Sequence, residues 1–352
     1  MNFGFRAKAL TTVALAVALA LSACGGNSPS GAASKSSGGG DLGKMTMAFP
    51  VELTLSTPNF VVAQGCGFWD QLGLKVDFLF GSSGTENIGA ITSNRAQMSF
   101  LDMGNLGSLV DKGQKNLKVI YHWNPTNIFE VMALEKSGIK SAADLKGKKV
   151  GISGLGSVTR YLLQASLEQA GLKESDVNLV TVGATRVAAL ESGQIDALVG
   201  WDQIRKQIEG DGYKTVDLGL GKGKVVPSNM LITSDSVLSQ RPDAVKAFVR
   251  GLNNATQWSV DHPDQAFDVV KKAMPAQTQK EDSAKVQVQT RLDSFKSYDT
   301  SKPFGDFDVA AWQSSADLLA RLGAIPATFD VKNYVTKDYI PSAPDADLKC
   351  KQ

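Results

Sequence analysis

Histidine occurs only twice in 352 residues, at His122 and His262, and cysteine three times. Zinc sites and Ser-His-Asp or Cys-His nucleophile sites each need a placed imidazole, so such chemistry would have to run through one of those two rings. Charge of one sign is equally scarce. The chain has 37 Lys+Arg against 35 Asp+Glu, a net charge of +2, which offers no electrostatic footprint for nucleic acid or an anionic lipid surface. No run approaches the ~18 uninterrupted apolar residues of a membrane-spanning helix. The length exceeds what one domain usually uses, so two lobes are expected, with enough core to fold without staples.

What is present begins with an address. Arg6 and Lys8 precede an uncharged run at 9–21, which has the length of a signal-peptide apolar region and is too short to cross a bilayer. It ends in Leu21, Ser22, Ala23 and Cys24. Small residues before a cysteine resemble the lipobox of bacterial lipoproteins. The resemblance implies that residues 1–23 are a signal peptide and that Cys24 becomes the acylated first residue of the mature chain. The other reading is an ordinary secretory signal with an incidental Cys24. Losing Arg6 and Lys8 takes the formal charge from +2 to zero.

Residues 25–40 are almost entirely Gly, Ser, Ala, Asn and Pro, a composition that cannot bury enough apolar surface to offset its ordering entropy. Residues 24–43 therefore read as a flexible tether. The folded part is expected to be soluble and held by lipid in the cell envelope, outside the cytoplasmic membrane. Cys66 and Cys350 then remain in an oxidising space, where two thiols tend to pair. A bridge over so long a loop would contribute on the order of 4 kcal/mol and pin the C-terminal tail. The alternative is a buried Cys66 and a loose Cys350. Nothing beside Cys66 marks a lowered thiol pKa, so catalysis by it is the least favoured reading.

Short apolar runs then alternate with helical patterns. Strands are expected at 44–49, 75–80, 98–101, 118–121, 129–134, 149–152, 177–182, 197–199 and 229–232. Val158, Tyr161, Leu162 and Ala165 share one helical face, with Gly171 as a C-terminal stop. The rhythm is that of an α/β protein with parallel sheets covered by helices, in which ligands bind beyond the carboxyl ends of the strands. The last third is helical. Pro242 opens a helix bearing Val245, Phe248, Val249, Leu252 and Ala255, Pro263 opens another with Phe267 and Val270, and a third carries Val309, Trp312, Ala316 and Leu319. The polar segment 277–306 fits helix and suggests no function.

Three phrases carry a resemblance. Residues 60–75, FVVAQGCGFWDQLGLK, residues 138–151, GIKSAADLKGKKVG, and residues 191–202, ESGQIDALVGWD, resemble in order and spacing passages of the substrate-binding proteins of ABC transporters in the nitrate/sulfonate/taurine and thiamine-pyrimidine-precursor group. The match spans residues 44–233. It implies a type II periplasmic-binding-protein fold, each lobe a sheet flanked by helices, with a hinge of two crossing strands. Lobe 1 would comprise residues 44–134 and 234–352 and lobe 2 residues 135–233, with crossings near 134–139 and 227–234. Closure over a ligand would expel water from the cleft.

Helix N-termini suit such a cleft, because their unpaired N–H groups and dipole attract anions. Gly81, Ser82, Ser83, Gly84 and Thr85 follow one strand, and Gly154, Leu155, Gly156, Ser157 and Thr159 follow another, one turn in each expected lobe. Both also read as plain capped turns. The second is not a dinucleotide fingerprint, since Thr159 stands where glycine is required, and neither ends as a phosphate loop does. Trp201 is placed to enclose an apolar part of a ligand or to pack in the core, and Asp202 to orient a donor or cap the next helix. Asp102 and Asn105 are expected at an edge of the site, and Ser56 or Thr57 on a face of the cleft. Tyr121, His122 and Trp123 could be pocket wall or lobe interface. His262 is expected to be exposed, and Phe68 and Trp69 to be core. Arg160 and Arg186 could each pair bidentately with a sulfonate or carboxylate or lie on a solvated helix face.

The function expected is a lipid-anchored, monomeric solute-binding component of an ABC importer. It would pass a sulfonate-, nitrate- or taurine-like anion to a permease in the cytoplasmic membrane, without enzyme activity, cofactor, metal or nucleic-acid partner. A thiamine-precursor pyrimidine or other aromatic solute is the alternative within that class. A pyrimidine-synthase-like enzyme, which would need histidines in the cleft, and a ligand-free interaction lipoprotein are the readings outside it.

Overall fold

Ten strands form in the computed structural model, which describes residues 40–49, 52–81, 84–123, 128–155, 157–219, 227–296 and 301–351. They are β1 (Gly43–Phe49), β2 (Leu74–Phe80), β3 (Met98–Leu101), β4 (Leu117–His122), β5 (Phe129–Leu134), β6 (Lys149–Ile152), β7 (Asn178–Thr181), β8 (Ala197–Trp201), β9 (Thr215–Asp217) and β10 (Met230–Ser234). Two five-stranded sheets result, ordered β2-β1-β3-β10-β4 and β7-β6-β8-β5-β9.

Neither sheet is purely parallel, which corrects the expectation from the βαβ rhythm. β1 runs parallel to β2 and β3, and β6 to β7 and β8, but β10 lies antiparallel to β3 and β4, and β5 antiparallel to β8 and β9. A parallel neighbour needs a crossover of a dozen or more residues within its own sheet. β5 and β10 are each the first strand laid down after the chain changes sheets, so no such crossover sets their direction. The first change of sheet falls between His122 and Phe129, ahead of β5, and the return falls between Asp217 and Met230.

The helices are α1 (Pro58–Gly65), α2 (Gly84–Thr92), α3 (Met103–Asp111), α4 (Val158–Gln169), α5 (Arg186–Glu191), α6 (Asp202–Gly210), α7 (Asp235–Gln240), α8 (Pro242–Asp261), α9 (Pro263–Ala273), α10 (Glu281–Lys296) and α11 (Val309–Arg321). Pro58, Pro242 and Pro263 occupy the first turn of their helices, where the missing N–H costs nothing. α8 buries Val245, Phe248, Val249, Leu252 and Ala255, and α11 buries Trp312, Ala316 and Leu319, the faces expected from their spacing. α10 also buries a stripe, Ala284, Val288, Arg291, Leu292 and Phe295, with a guanidinium set in it.

One core packs α1, α8 and α9 on the first sheet. Phe60 meets Phe49, Phe100 and Trp123 edge-on at 5.1, 5.5 and 5.8 Å, and Trp69 stacks on Phe248 while donating to its carbonyl. A second core is continuous from Leu106 of α3 through Leu162 of α4 to Val131 of β5 and Trp312, so apolar packing joins elements of both sheets. Cys66 and Cys350 are joined by a disulfide, and the tail it holds is tied further by Gln71 to the Lys349 carbonyl and by Asn254 to Asp345. Among the described residues no helix is long and apolar enough to cross a membrane.

Candidate functional site

The loop after β1 faces α5 and the start of α6 across a cavity of about 370 Å³. Thr54, Leu55 and Ser56, with Gln277 and Gln287, line it from the first sheet's side. Ala184, Arg186, Val187, Trp201, Gln203, Ile204 and Gln207 line it from the second. A larger open groove of about 700 Å³ runs along the β2 edge between Val61, Phe80 and Met274. Its ionisable residues are Glu52 and Asp77, and it is walled by the first sheet's elements alone.

Arg291 joins the two sides of the cavity. It is 1 % exposed. Its Nε donates to the Ser56 carbonyl at 3.1 Å, one terminal nitrogen donates to Gln203 Oε1 at 2.7 Å, the Asp202 carboxylate lies 4.0 Å away, and the Trp123 ring lies 5.0 Å from the guanidinium. Burial lowers its pKa to about 10, with Asp202 opposing the shift, so it stays charged at neutral pH. Burial likewise raises the pKa of Asp202, against the pull of Arg291 and the Gln203 amide. Trp123 is fixed on its other edge by Asn59, which in turn donates to Thr256.

Arg186 opens α5 and lies over the Trp201 ring at 4.7 Å. Burial lowers its pKa, and among the described residues no neighbouring charge opposes the shift. The other two arginines beside the cleft are paired: Arg160 grips Glu174 through two bonds of 2.8 Å, and Arg205 grips Glu130 at 2.6 and 3.0 Å. The Arg186 Nε and the Gln203 Nε2 are both buried and without a hydrogen-bond partner.

Of the residues singled out in the sequence, Ser56 and Trp201 line this cavity. Asp202 stands beside it, accepting from the Gln203 amide at 2.9 Å. Thr57 closes the preceding turn on Thr54. Asp102, Asn105, Ser157 and Thr159 gather elsewhere, where α3 meets α4. There Asp102 accepts from the backbone and side chain of Asn105 at 2.7 and 2.8 Å and from the Val158 amide. Ser157 caps Thr159, whose hydroxyl serves both Ser157 and the Ser153 amide. The amide end of α4 is thus met by the chain's own carboxylate, whose pKa burial raises. Gly154 lies in the loop before this cap with open space about it. Ser82, Ser83, Gly156, Cys24, the rest of the leader and most of the tether lie outside the described residues, as do the side chains at Gly84 and Thr85.

Neither histidine lines the cavity. His122 is buried edge-on to Trp312 at 5.0 Å, and desolvation lowers its pKa to about 3. His262 is exposed and stacks on Trp258. Tyr121 is buried and bonds Asn253, leaving Trp123 as the one of that trio to touch the cleft, through Arg291. Sequence reasoning missed Arg291, Gln203, Gln207, Gln277 and Gln287. Glutamine belongs to no motif, and an arginine inside an apolar stripe makes the stripe read as polar surface; only the spacing of Ala284, Val288, Leu292 and Phe295 would have shown that position 291 faces inward.

A family model described as NMT1/THI5 like matches residues 56–266. The riboflavin-binding protein RibY of Chloroflexus aurantiacus is 24% identical over 307 residues, covering 85% of this chain and 87% of that protein. The 4-amino-5-hydroxymethyl-2-methylpyrimidine phosphate synthase of Legionella pneumophila is 23% identical over 311 residues, covering 82% and 90%. The alkanesulfonate-binding protein SsuA of Xanthomonas axonopodis pv. citri, solved with MOPS bound, matches with a TM-score of 0.66 at 18% identity over 83% of this chain and 98% of its own. That likeness shows a shared architecture, the periplasmic-binding-protein fold.

Proposed function

The chain belongs to the NMT1/THI5-like family, and we propose that it is the solute-binding component of an ABC importer, capturing a small organic solute between its two lobes and presenting it to a permease. The observation that carries this reading is the polar cavity between the sheets, walled from both sides and crossed by a buried arginine. Relatives named for binding riboflavin and alkanesulfonates support it. One relative is named a synthase, but histidine-based chemistry has no purchase in this cavity, because His122 is sealed in a core and His262 faces solvent. Binding and release without reaction is the reading we adopt.

The solute is proposed to be a sulfonate-, nitrate- or taurine-like anion in preference to a pyrimidine. Ser56 and Trp201 contact it, while Asp102, Asn105, Ser157 and Thr159 form a polar seam joining the lobes. Residues 1–23 are proposed as signal and the expected tether, 24–43, as ending just short of β1, where Leu42 already bonds Gly73 and Arg241, with Cys24 lipidated. Replacing Cys24 by serine would then release the protein from the membrane fraction, and retention of the variant there would refute the anchor.

The test of capture is a melting screen of the purified chain with taurine, alkanesulfonates, nitrate, aromatic acids and pyrimidines. A solute at 100 times its dissociation constant stabilises by about 2.7 kcal/mol, a rise of roughly 5 °C for a protein of this size. If no compound moves the melting temperature while a partner protein does, the capture reading is wrong and an interaction role replaces it.

A further inference from the structure

Two buried donors face one cavity with no acceptor. Arg186 Nε and Gln203 Nε2 make no hydrogen bond, and both residues line the space between the lobes. Gln203 is 2 % exposed and cannot exchange the two ends of its amide. Arg291 has only N–H groups to offer, so the atom it holds at 2.7 Å must be the amide oxygen. The free end of Gln203 is therefore a donor, and a guanidinium can be nothing else. None of the lining residues is acidic. Arg160, Arg205 and Arg291 each face a carboxylate within 4.0 Å, whereas among the described residues no carboxylate pairs with Arg186. Arg186 is half-buried, with its Nε shielded from water; desolvating part of a guanidinium without a counter-charge is unfavourable, and an incoming anion offsets that cost.

We propose that the solute carries an anionic oxygen group, a carboxylate, sulfonate or phosphate, which sits between Arg186 and Gln203, and that this pair selects it against neutral isosteres. The inference rests on the capture reading and assigns the two residues that read the solute's charge. The Trp201 face, 4.7 Å away, holds the guanidinium in place before the solute arrives, which lowers the ordering cost of binding. Arg291 polarises Gln203 from behind and so strengthens its remaining donors. Gln207, Gln277 and Gln287 supply donors and acceptors for the rest of the molecule, and a volume of about 370 Å³, at the low end for ligand pockets, limits it to a compact one. On this account charge is read by side chains of the second lobe and not by the N-terminus of α4, which Asp102 already meets.

The test uses the full chain and matched probes, benzenesulfonate against benzenesulfonamide and benzoate against benzamide, titrated by melting shift and calorimetry, with native mass spectrometry for any retained solute. The wild type is expected to bind the anion of a pair and not its neutral partner, or to retain a solute bearing an acidic group. Arg186→Gln is expected to weaken anion binding on the order of 10–100-fold, and Arg186→Lys less, since it keeps the charge and loses the fork. Equal binding of both members of a pair, a retained solute without an acidic group, or an Arg186→Gln variant that binds the anion as the wild type does would overturn the head-group assignment and leave capture standing. No probe bound and no solute retained would overturn both. The wild-type comparison within each pair decides the matter even if a variant fails to fold.

Discussion

Replacing Arg291 by methionine removes a buried side chain that ties the two sides of the cavity together by both hydrogen bonds and charge. The Ser56 carbonyl and Gln203 Oε1 lose donors at 3.1 and 2.7 Å, and the Asp202 carboxylate, 4.0 Å away, loses its nearest cation. Hydrogen bonds from a charged donor each contribute about 1.5–3 kcal/mol, and leaving one member of a buried ion pair uncompensated costs about 3–5 kcal/mol. These terms share the same atoms and do not add, so a total loss of about 3–5 kcal/mol is expected, a fall of roughly 6–10 °C in melting temperature. Methionine preserves much of the packing against Trp123, so the loss reports on polar contacts more than on a cavity. Urea unfolding gives the free energy, and hydrogen exchange gives the location: protection should fall together at 54–57 and 202–206, on opposite sides of the cavity. A variant within 1 kcal/mol of the wild type, with unchanged exchange in both segments, would refute the role assigned to Arg291.

His122→Phe tests the buried imidazole. Its folded pKa of about 3 lies below the unfolded value near 6.5, so between those pH values the unfolded chain binds a proton that the folded chain does not. Stability must therefore fall with acidification by up to about 1.4 kcal/mol per pH unit across that window. The phenylalanine variant should lose this part of the slope, about 2 kcal/mol between pH 6.5 and 5, and parallel pH-stability curves would contradict it. Cys350→Ser should cost about 4–6 kcal/mol by freeing a chain closed over a sequence separation of 284; the reduced wild type should melt with the variant, and coincident melting of oxidised wild type and variant would count against the bridge. Gly305→Ala forces a methyl into the Tyr121 ring at a φ of +90° and should destabilise by about 3 kcal/mol, measured by urea titration and refuted by a change under 1 kcal/mol. Without any solute, Arg186→Met should be as stable as the wild type or more so, because it removes a half-buried charge with no carboxylate partner among the described residues; a loss above 2 kcal/mol would show that Arg186 is a structural residue.

Much of the scaffold is written locally. The runs at 98–101, 129–134 and 149–152 are strands at those bounds, because short apolar stretches between turn residues have few other ways to bury both faces. β9 escaped because three residues with half-exposed side chains leave no pattern. The parallel sheets expected from the βαβ rhythm became mixed ones at β5 and β10, whose direction is set by how the chain changes sheets, a property of no local segment. Compartment and count left the Cys66–Cys350 bridge as one of two readings, and the approach of the C-terminal tail to α1 decides for it. The cavity is not written locally. Rules for helix ends pointed to Gly154, Ser157 and Thr159, where the hydroxyls and amides satisfy one another and Asp102. The donors left without acceptors belong to Arg186 and Gln203, and that is apparent only once Arg291, 88 residues along the chain from Gln203, has claimed the oxygen of the amide.

Native mass spectrometry of the protein, isolated without denaturation and sprayed beside its Arg186→Gln variant, tests solute capture between the lobes most directly. A single non-covalent small-molecule adduct on the wild type, lost on unfolding and absent from the folded variant, is the expected result. A bare wild-type mass that no solute in the panel can shift would contradict it, whereas an adduct held equally by both proteins would refute only the part given to Arg186.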